Sequence, residues 1–448
     1  MGKLFGTDGV RGRANDDLTP DFVVMLGLAA GSVLRNSGRE IILGKDTRLS
    51  SDMIESAFSS GLCASGMDVW EVGVITTPGI AYLSLSRGKW GGVISASHNP
   101  FYENGIKLFN RDGFKLSEVL EEEIEKKLWE KDFHLAPPSE IGRRINFAEG
   151  AESYKNFLLG KATRSFKGLR IVIDSANGAG YELAPLLFSE LDANVILLNG
   201  KPNGRNINEG CGAVHPQEMA RKVIESGAHL GFSLDGDGDR VIFSDEKGEI
   251  IQGDGALCIL ATYMKDKGIL KGPVVTTHMT NRGIELALRE RGIDVVRVQI
   301  GDKYVADKMK EIGANLGGEQ SGHIILFDHL PTGDGLLTAI KLIEIMLEKG
   351  KPLSELRNYK IFPQKLVNIS TKEAKKWEKD ESVREIVEKA RISSGGKVRI
   401  LVRASGTENK LRIMVEGEEE KVVEELTFYL LENIKKVIGE NDGYLLSS

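Results

Sequence analysis

Asp235, Asp237 and Asp239 alternate with Gly236 and Gly238 and are followed by Arg240, the most specific chemical signal in the chain. Carboxylates on alternate residues concentrate negative charge that a hard cation neutralises. The intervening glycines let the backbone turn tightly enough to aim all three at one point. The same aspartates match positions 1, 3 and 5 of an EF-hand loop, with Glu246 at position 12. That reading fails, because the sixth position needs glycine and holds Arg240, and because Val-Ile-Phe follows as strand with no helix before the loop. Three carboxylates that leave positions open for water and a phosphate oxygen suit Mg²⁺. A solvated acidic turn is the plain alternative.

A second loop, Ser95-Ala96-Ser97-His98-Asn99-Pro100, ends an apolar run. Alone, Ser97 reads as a turn hydroxyl, and the absence of a GxSxG elbow argues against a serine hydrolase. Beside a Mg²⁺ site, a serine carrying phosphate supplies the missing oxygen ligand. Lys107, in Gly-Ile-Lys-Leu-Phe, is then placed to return to the pocket as a general acid or base, with an exposed strand lysine as its plain reading. Glu319 and Ser321, in Gly318-Glu319-Gln320-Ser321-Gly322-His323, are suited to sugar hydroxyls, and His323 to proton transfer near neutral pH. Arg403-Ala404-Ser405-Gly406-Thr407-Glu408-Asn409, with Arg412 beyond it, offers guanidinium groups, hydroxyls and a glycine amide to a phosphate monoester. No Walker A lysine motif and no dinucleotide fingerprint supports nucleotide binding.

The elements that carry these loops repeat three times. Runs beginning REIILGKDTR, LRIVIDSANG and GPVVTTHMTN each lead through a helix to a second strand and then to a third, which ends in the serine, aspartate or glutamate loop. A strand, a turn and a helix follow each loop, with Asp254 and Asp334 expected as helix N-caps in the second and third copies. Strand–helix alternation implies layered α/β domains whose ligands sit at strand ends. The fold expected is therefore three related α/β domains with mixed sheets around a central active-site cleft, plus a smaller C-terminal α+β domain. Boundaries are placed at 1–150, 151–253, 254–359 and 360–448. At 448 residues the chain is too long for one core, and roughly three or four domains is the prior.

Composition narrows the class. With 59 Lys+Arg against 65 Asp+Glu, the net charge of −6 gives no general nucleic-acid-binding surface. Three widely spaced cysteines, with no CxxC pair, suit a reducing cytoplasm and argue against a thiolate zinc site. MGKLFGTDG lacks an apolar core of signal-peptide length, and no run approaches the ~18 apolar residues of a membrane span. The expectation is a cytoplasmic protein without a membrane or nucleic-acid partner.

At these loops the sequence resembles the α-D-phosphohexomutase superfamily, most closely its bacterial phosphoglucosamine mutase branch. The resemblance runs the length of the chain in order: FGTDGVRG (5–12), GKDTR (44–48), ISASHNP (94–100), NGIKLF (104–109), DGDGDR (235–240), GEQSGH (318–323) and RASGTE (403–408). FGTDGVRG and the glutamine of GEQSGH favour the glucosamine branch; a glucose- or mannose-phosphate mutase is the alternative. The resemblance implies that Ser97 is a phosphoserine that converts glucosamine 6-phosphate to glucosamine 1-phosphate through a 1,6-bisphosphate, feeding amino-sugar nucleotide and cell-wall precursor synthesis. It implies one Mg²⁺ on Asp235, Asp237, Asp239 and the Ser97 phosphate, and glucosamine or glucose 1,6-bisphosphate as activator. Arg11 and Arg240 match arginines near the phosphoserine and sugar, Lys107 and His323 the acid–base groups, and Glu319 and Ser321 the sugar loop. Arg403, Ser405, Gly406, Thr407 and Arg412 match the loop that grips the non-reacting phosphate. Ala404 and Asn409 stand where the family commonly has proline, which leaves that loop less preorganised. A homodimer is expected by analogy. A phosphatase, in which water intercepts the phosphoserine, and a non-catalytic phosphosugar sensor are rivals of other classes.

Overall fold

β-Branched apolar runs form the strands, and amphipathic segments between them form the covering helices. The computed structural model describes residues 4–371, 373–404, 409–438 and 445–446. The chain forms two compact units, Met1–Thr280 with Leu288–Asn358, and Asn281–Ala287 with Tyr359–Ser448.

The first unit holds three sheets. The strands of the first are β1 (Val10–Arg13), β2 (Glu40–Lys45), β3 (Asp68–Val74), β4 (Trp90–Ile94), β5 (Glu103–Phe109) and β6 (Arg144–Asn146), in the order β1-β5-β4-β2-β3-β6. The second contains β7 (Arg170–Asp174), β8 (Asn194–Leu198), β9 (Leu230–Leu234), β10 (Val241–Asp245) and β11 (Ile250–Ile251), ordered β11-β10-β9-β7-β8. The third contains β12 (Val274–Thr277), β13 (Val295–Val298), β14 (Leu316–Gly318) and β15 (Ile324–Leu326), ordered β15-β14-β12-β13. All three share one plan, in which three parallel strands are extended by an antiparallel hairpin partner: β4 with β5, β9 with β10, β14 with β15. The three chemical loops occupy these hairpin connections, at the carboxyl ends of β4, β9 and β14, where open α/β sheets bind ligands.

Burial holds this frame rigid. β4 and β9 are buried at every residue, and β5 at six of its seven. Leu26, Ile41, Leu43, Phe58, Leu62 and Ile94 pack into one core beneath the first sheet. Each fully buried side chain of this kind contributes roughly 1.5–3 kcal/mol. The helix Gly335–Lys349 starts at Asp334, whose Oδ1 accepts the Leu337 amide at 3.0 Å, as its sequence position predicts. Asp254 is not a cap. The helix Gly253–Asp266 begins two residues before the Gly255 that a cap at Asp254 would give, on an extended Gln252, and places Asp254 in its first turn. A carboxylate there still complements the helix dipole.

In the second unit β16 (Gln364–Ser370), β17 (Val398–Ala404), β18 (Lys410–Gly417) and β19 (Leu445–Leu446) form an antiparallel sheet ordered β17-β18-β16-β19. The helices Glu381–Ser393 and Glu420–Ile438 supply Val383, Val387, Leu430 and Ile434 to a core with Val367, Leu411 and Ile413. Asp380 caps the first of these helices through the Ser382 amide at 2.9 Å. Among the described residues, no helix is long and apolar enough to cross a membrane.

Candidate active site

Ser97 and the aspartate loop, distant in sequence, meet in the first unit. The Ser97 hydroxyl donates to Asp235 Oδ2 at 2.6 Å, and its amide donates to Ser95 Oγ at 2.9 Å. Ser97 is fully buried and has φ +53°, a left-handed backbone that costs a non-glycine residue about 1–2 kcal/mol. The loops touch through Gly236, where a Cβ would lie 2.5 Å from the Ser97 carbonyl oxygen. Gly238 takes φ +71° and turns the loop back toward Asp235, whose carbonyl accepts the Gly238 amide at 3.1 Å.

The three carboxylates form one cluster, each presenting an oxygen within 4.8 Å of the others. Asp237 Oδ2 accepts the Thr77 hydroxyl and the Lys107 ammonium, both at 2.6 Å. Lys107 also reaches Asp239 Oδ2 at 3.3 Å. Asp237 Oδ1 and Asp239 Oδ1 are buried without a hydrogen-bond partner. Two such oxygens are costly alone and are the donors a hard divalent cation takes, so the residues fit a metal. Burial, and next the Asp237 and Asp239 charges, lift the Asp235 carboxyl well above its ordinary range. Burial alone would discharge Lys107, but Asp237 and Asp239 outweigh it and hold the ammonium above the usual lysine range.

Two guanidinium groups border the cluster. Arg11, on β1, is anchored by Asp8 Oδ2 at 2.9 Å, and Arg240 Nε lies 3.9 Å from Asp239 Oδ1. The Nε of each is buried without a hydrogen-bond partner, a donor pair suited to phosphate oxygens. Their field reaches His98: burial, then Arg240, then Arg11 push that imidazole down to about 3.

The third loop joins from its own sheet. Glu319 Oε1 accepts the Gly301 amide at 3.1 Å, and burial followed by the Asp302 charge raises its carboxyl. His323 Nε2 accepts the Gly333 amide at 2.9 Å, while Nδ1 faces Asp239 Oδ2 at 3.8 Å. Burial opposes protonation of this ring, but Asp302 and Asp239 outweigh it and raise its affinity for a proton. In the neutral ring the Gly333 amide takes the Nε2 lone pair and leaves the proton on Nδ1, toward Asp239. Both ring nitrogens are thus engaged by the protein. Ser321 is exposed.

Arg403 and Arg412 face one another across β17 and β18 in the second unit. Burial, then the Arg412 charge, lowers the proton affinity of Arg403. Ser405, Gly406 and Thr407 lie outside the described residues.

Sequence reasoning missed Thr77. Thr76-Thr77-Pro78 reads as a helix start, and Thr77 does open the helix Thr77–Arg87, yet its amide donates to the Asp237 carbonyl at 2.8 Å and its hydroxyl to the carboxylate. Asp302 was also missed; it sits 2.6 Å from Lys115 and 3.5 Å from His323.

Four family models match in order: phosphoglucomutase/phosphomannomutase α/β/α domain I over residues 2–135, domain II over 149–248, domain III over 252–362 and the C-terminal domain over 366–428. The chain belongs to the phosphoglucomutase/phosphomannomutase family. Among its relatives, the phosphoglucosamine mutase of Carboxydothermus hydrogenoformans is 46% identical over 98% of this chain and 100% of its own. That of Dictyoglomus turgidum is 47% identical over 94% of this chain and 95% of its own. A phosphoglucomutase/phosphomannomutase family protein from Burkholderia thailandensis shares the fold, with a TM-score of 0.83 at 23% identity over 99% of both chains.

Proposed function

We propose that this enzyme is an isomerase that interconverts glucosamine 6-phosphate and glucosamine 1-phosphate through a phosphorylated Ser97. The observation that carries the reading is the buried Ser97 hydroxyl, 2.6 Å from a three-carboxylate cluster that keeps two oxygens unpartnered. The phosphosugar substrate follows from relatives named phosphoglucosamine mutase at 46% and 47% identity.

In the forward direction the C1 hydroxyl oxygen of glucosamine 6-phosphate attacks the Ser97 phosphoryl group. The bond from phosphorus to Ser97 Oγ breaks as the bond to the sugar oxygen forms. The resulting 1,6-bisphosphate turns over in the site, and Ser97 Oγ takes back the phosphoryl group from O6. Asp235, Asp237 and Asp239 would hold one Mg²⁺, which when bound supplies neutralisation of charge on the transferring group. Lys107 is the candidate acid toward the departing oxygen and, once discharged, the base toward the attacking hydroxyl. His323 holds Asp239 in the present arrangement and is the second acid–base candidate. Arg11 and Arg240 bind phosphate oxygens through their free Nε donors. Glu319 and Ser321 hold sugar hydroxyls. Arg403 and Arg412, with Ser405, Gly406 and Thr407, grip the phosphate that is not being transferred, which contributes binding energy to orientation. A sugar 1,6-bisphosphate would prime Ser97, and the cytoplasm, where phosphosugars are made, is the setting; a homodimer is the assembly.

The test follows both phosphosugars by ³¹P NMR, with Mg²⁺, a trace of glucose 1,6-bisphosphate and glucosamine 6-phosphate. Glucosamine 1-phosphate should form without release of inorganic phosphate, and should be absent with Ser97→Ala. Turnover of glucose or mannose 6-phosphate alone would leave the chemistry standing and overturn the substrate.

A further inference from the structure

GKDTR (44–48) has no part in the reaction described so far, and neither does the asparagine of Asn206-Ile207-Asn208. Both meet at the backbone of the Ser97 loop. Arg48 Nη2 donates to the carbonyl oxygens of Ser97 and Asn99, each at 2.8 Å. Its Nη1 donates to the Glu103 carbonyl at 3.0 Å and to that of Pro100. The side chain is fully buried and is aimed by Asp46, which accepts Nε at 2.8 Å. Asp46 also accepts the Ser95 hydroxyl at 2.6 Å, the hydroxyl that receives the Ser97 amide. From the second sheet's side, Asn208 Nδ2 donates to the same two oxygens, Ser97 O at 2.9 Å and Asn99 O at 3.2 Å. Asn208 itself has φ +58°, and its amide donates to Ala176 O at 2.9 Å.

We infer that Arg48 and Asn208 are positioning residues for phosphoryl transfer, a two-sided clamp that keeps Ser97 in its left-handed backbone. The Ser97 carbonyl is the group that rotates if this residue relaxes to an ordinary conformation, and relaxation would swing Oγ away from Asp235. Four donor contacts to two carbonyl oxygens oppose that rotation. The clamp acts on the backbone, so it serves Ser97 whether the hydroxyl is free or phosphorylated. It also joins two domains at the nucleophile, since Arg48 follows β2 of the first sheet and Asn208 belongs to the second domain. This inference rests on the reading of Ser97 as phosphoryl donor.

The experiment measures single-turnover transfer of ³²P from phosphorylated Ser97 to glucosamine 6-phosphate in the full-length enzyme, with KM and Tm taken alongside. Asn208→Ala removes one side of the clamp without leaving a buried charge. Its transfer rate should fall about 10- to 100-fold, the cost of a misplaced reacting group, while KM stays within about twofold because no sugar contact is lost. Arg48→Lys keeps the charge beside Asp46 but loses the planar fork, and should show the same split. An Asn208→Ala enzyme that transfers at the wild-type rate, or whose loss merely tracks its unfolded fraction as temperature is varied, would overturn the clamp. A wild-type enzyme that transfers no label at all would overturn the reading of Ser97 beneath it.

Discussion

The loops after β4 and β9 and the loop after β14 occupy the same place in three related sheets, yet they are built differently. Ser97, Asp235, Asp237 and Asp239 are all buried; Ser97 donates to Asp235, Thr77 and Lys107 donate to Asp237, and Lys107 also donates to Asp239. After β14, Glu319 takes one backbone amide, Gln320 is half-buried and Ser321 faces solvent. Groups whose charge changes during phosphoryl transfer gain from being fixed before the substrate arrives, because reorganisation is then avoided at the transition state. If the loop after β14 holds the sugar, as proposed, it gains from adaptable, accessible donors. On the proposed function, the same strand-end position serves as fixed chemistry in two domains and, through its exposed Ser321, as recognition in the third.

Breaking the rigid side should cost most. Asp237→Asn should lower turnover about 100- to 1,000-fold, as for loss of a charge aimed at the transferring group. Saturating Mg²⁺ should raise the Tm of the wild type and leave that of the variant unchanged, read by calorimetry. Thr77→Val, which spares every ligand and removes only the hydroxyl on Asp237 Oδ2, should weaken Mg²⁺ roughly 10- to 100-fold, as outer-shell partners do. Isothermal titration with Mg²⁺ measures this directly, and an unchanged Kd would place Thr77 in the fold alone. On the open side, Ser321→Ala should raise KM by about two- to tenfold, the ~0.5–1.5 kcal/mol of one hydrogen bond, with kcat and Tm nearly unchanged.

The smallest effect is one of pH. Burial and Asp302 raise the Glu319 carboxyl, so as pH falls it takes up a proton at a higher pH than an ordinary glutamate. On the proposed role of Glu319, the ionised form is the one that accepts sugar hydroxyls, so kcat/KM should decline on the acid side through that raised value. Glu319→Gln should remove this part of the decline while lowering the plateau. A wild-type acid limb that survives unaltered in the variant would assign it to another group.

Local sequence made the frame legible. Runs such as Ile41-Ile42-Leu43 and Ile171-Val172-Ile173 announce buried strands, and the acidic and serine loops declare themselves because their residue types are scarce in that combination. What stayed hidden were partners supplied from far away. Thr77 lies 160 residues from Asp237, and Asn208 lies 111 from Ser97, so no spacing rule reaches either. Asp254 shows a different limit. The Asp-Gly pairs at 254 and 334 look alike, yet an extended Gln252 starts one helix two residues earlier, and only Asp334 caps. His323 was legible as a proton carrier by type; that Gly333 occupies its Nε2 depends on a turn ten residues on.

The carbonyl of Ser97 is held from both sides by side chains that leave the ribosome at different times. When the first sheet is complete, through Arg144–Asn146, the chain has Arg48 in place but has not yet made Asn208, Asp235 or Asp237. The serine then sits on a loop with half of its restraints and no acidic partner. On the proposed role of Ser97, an order of synthesis in which the nucleophile comes early and its restraints come late leaves a partly made chain without an assembled phosphoryl acceptor.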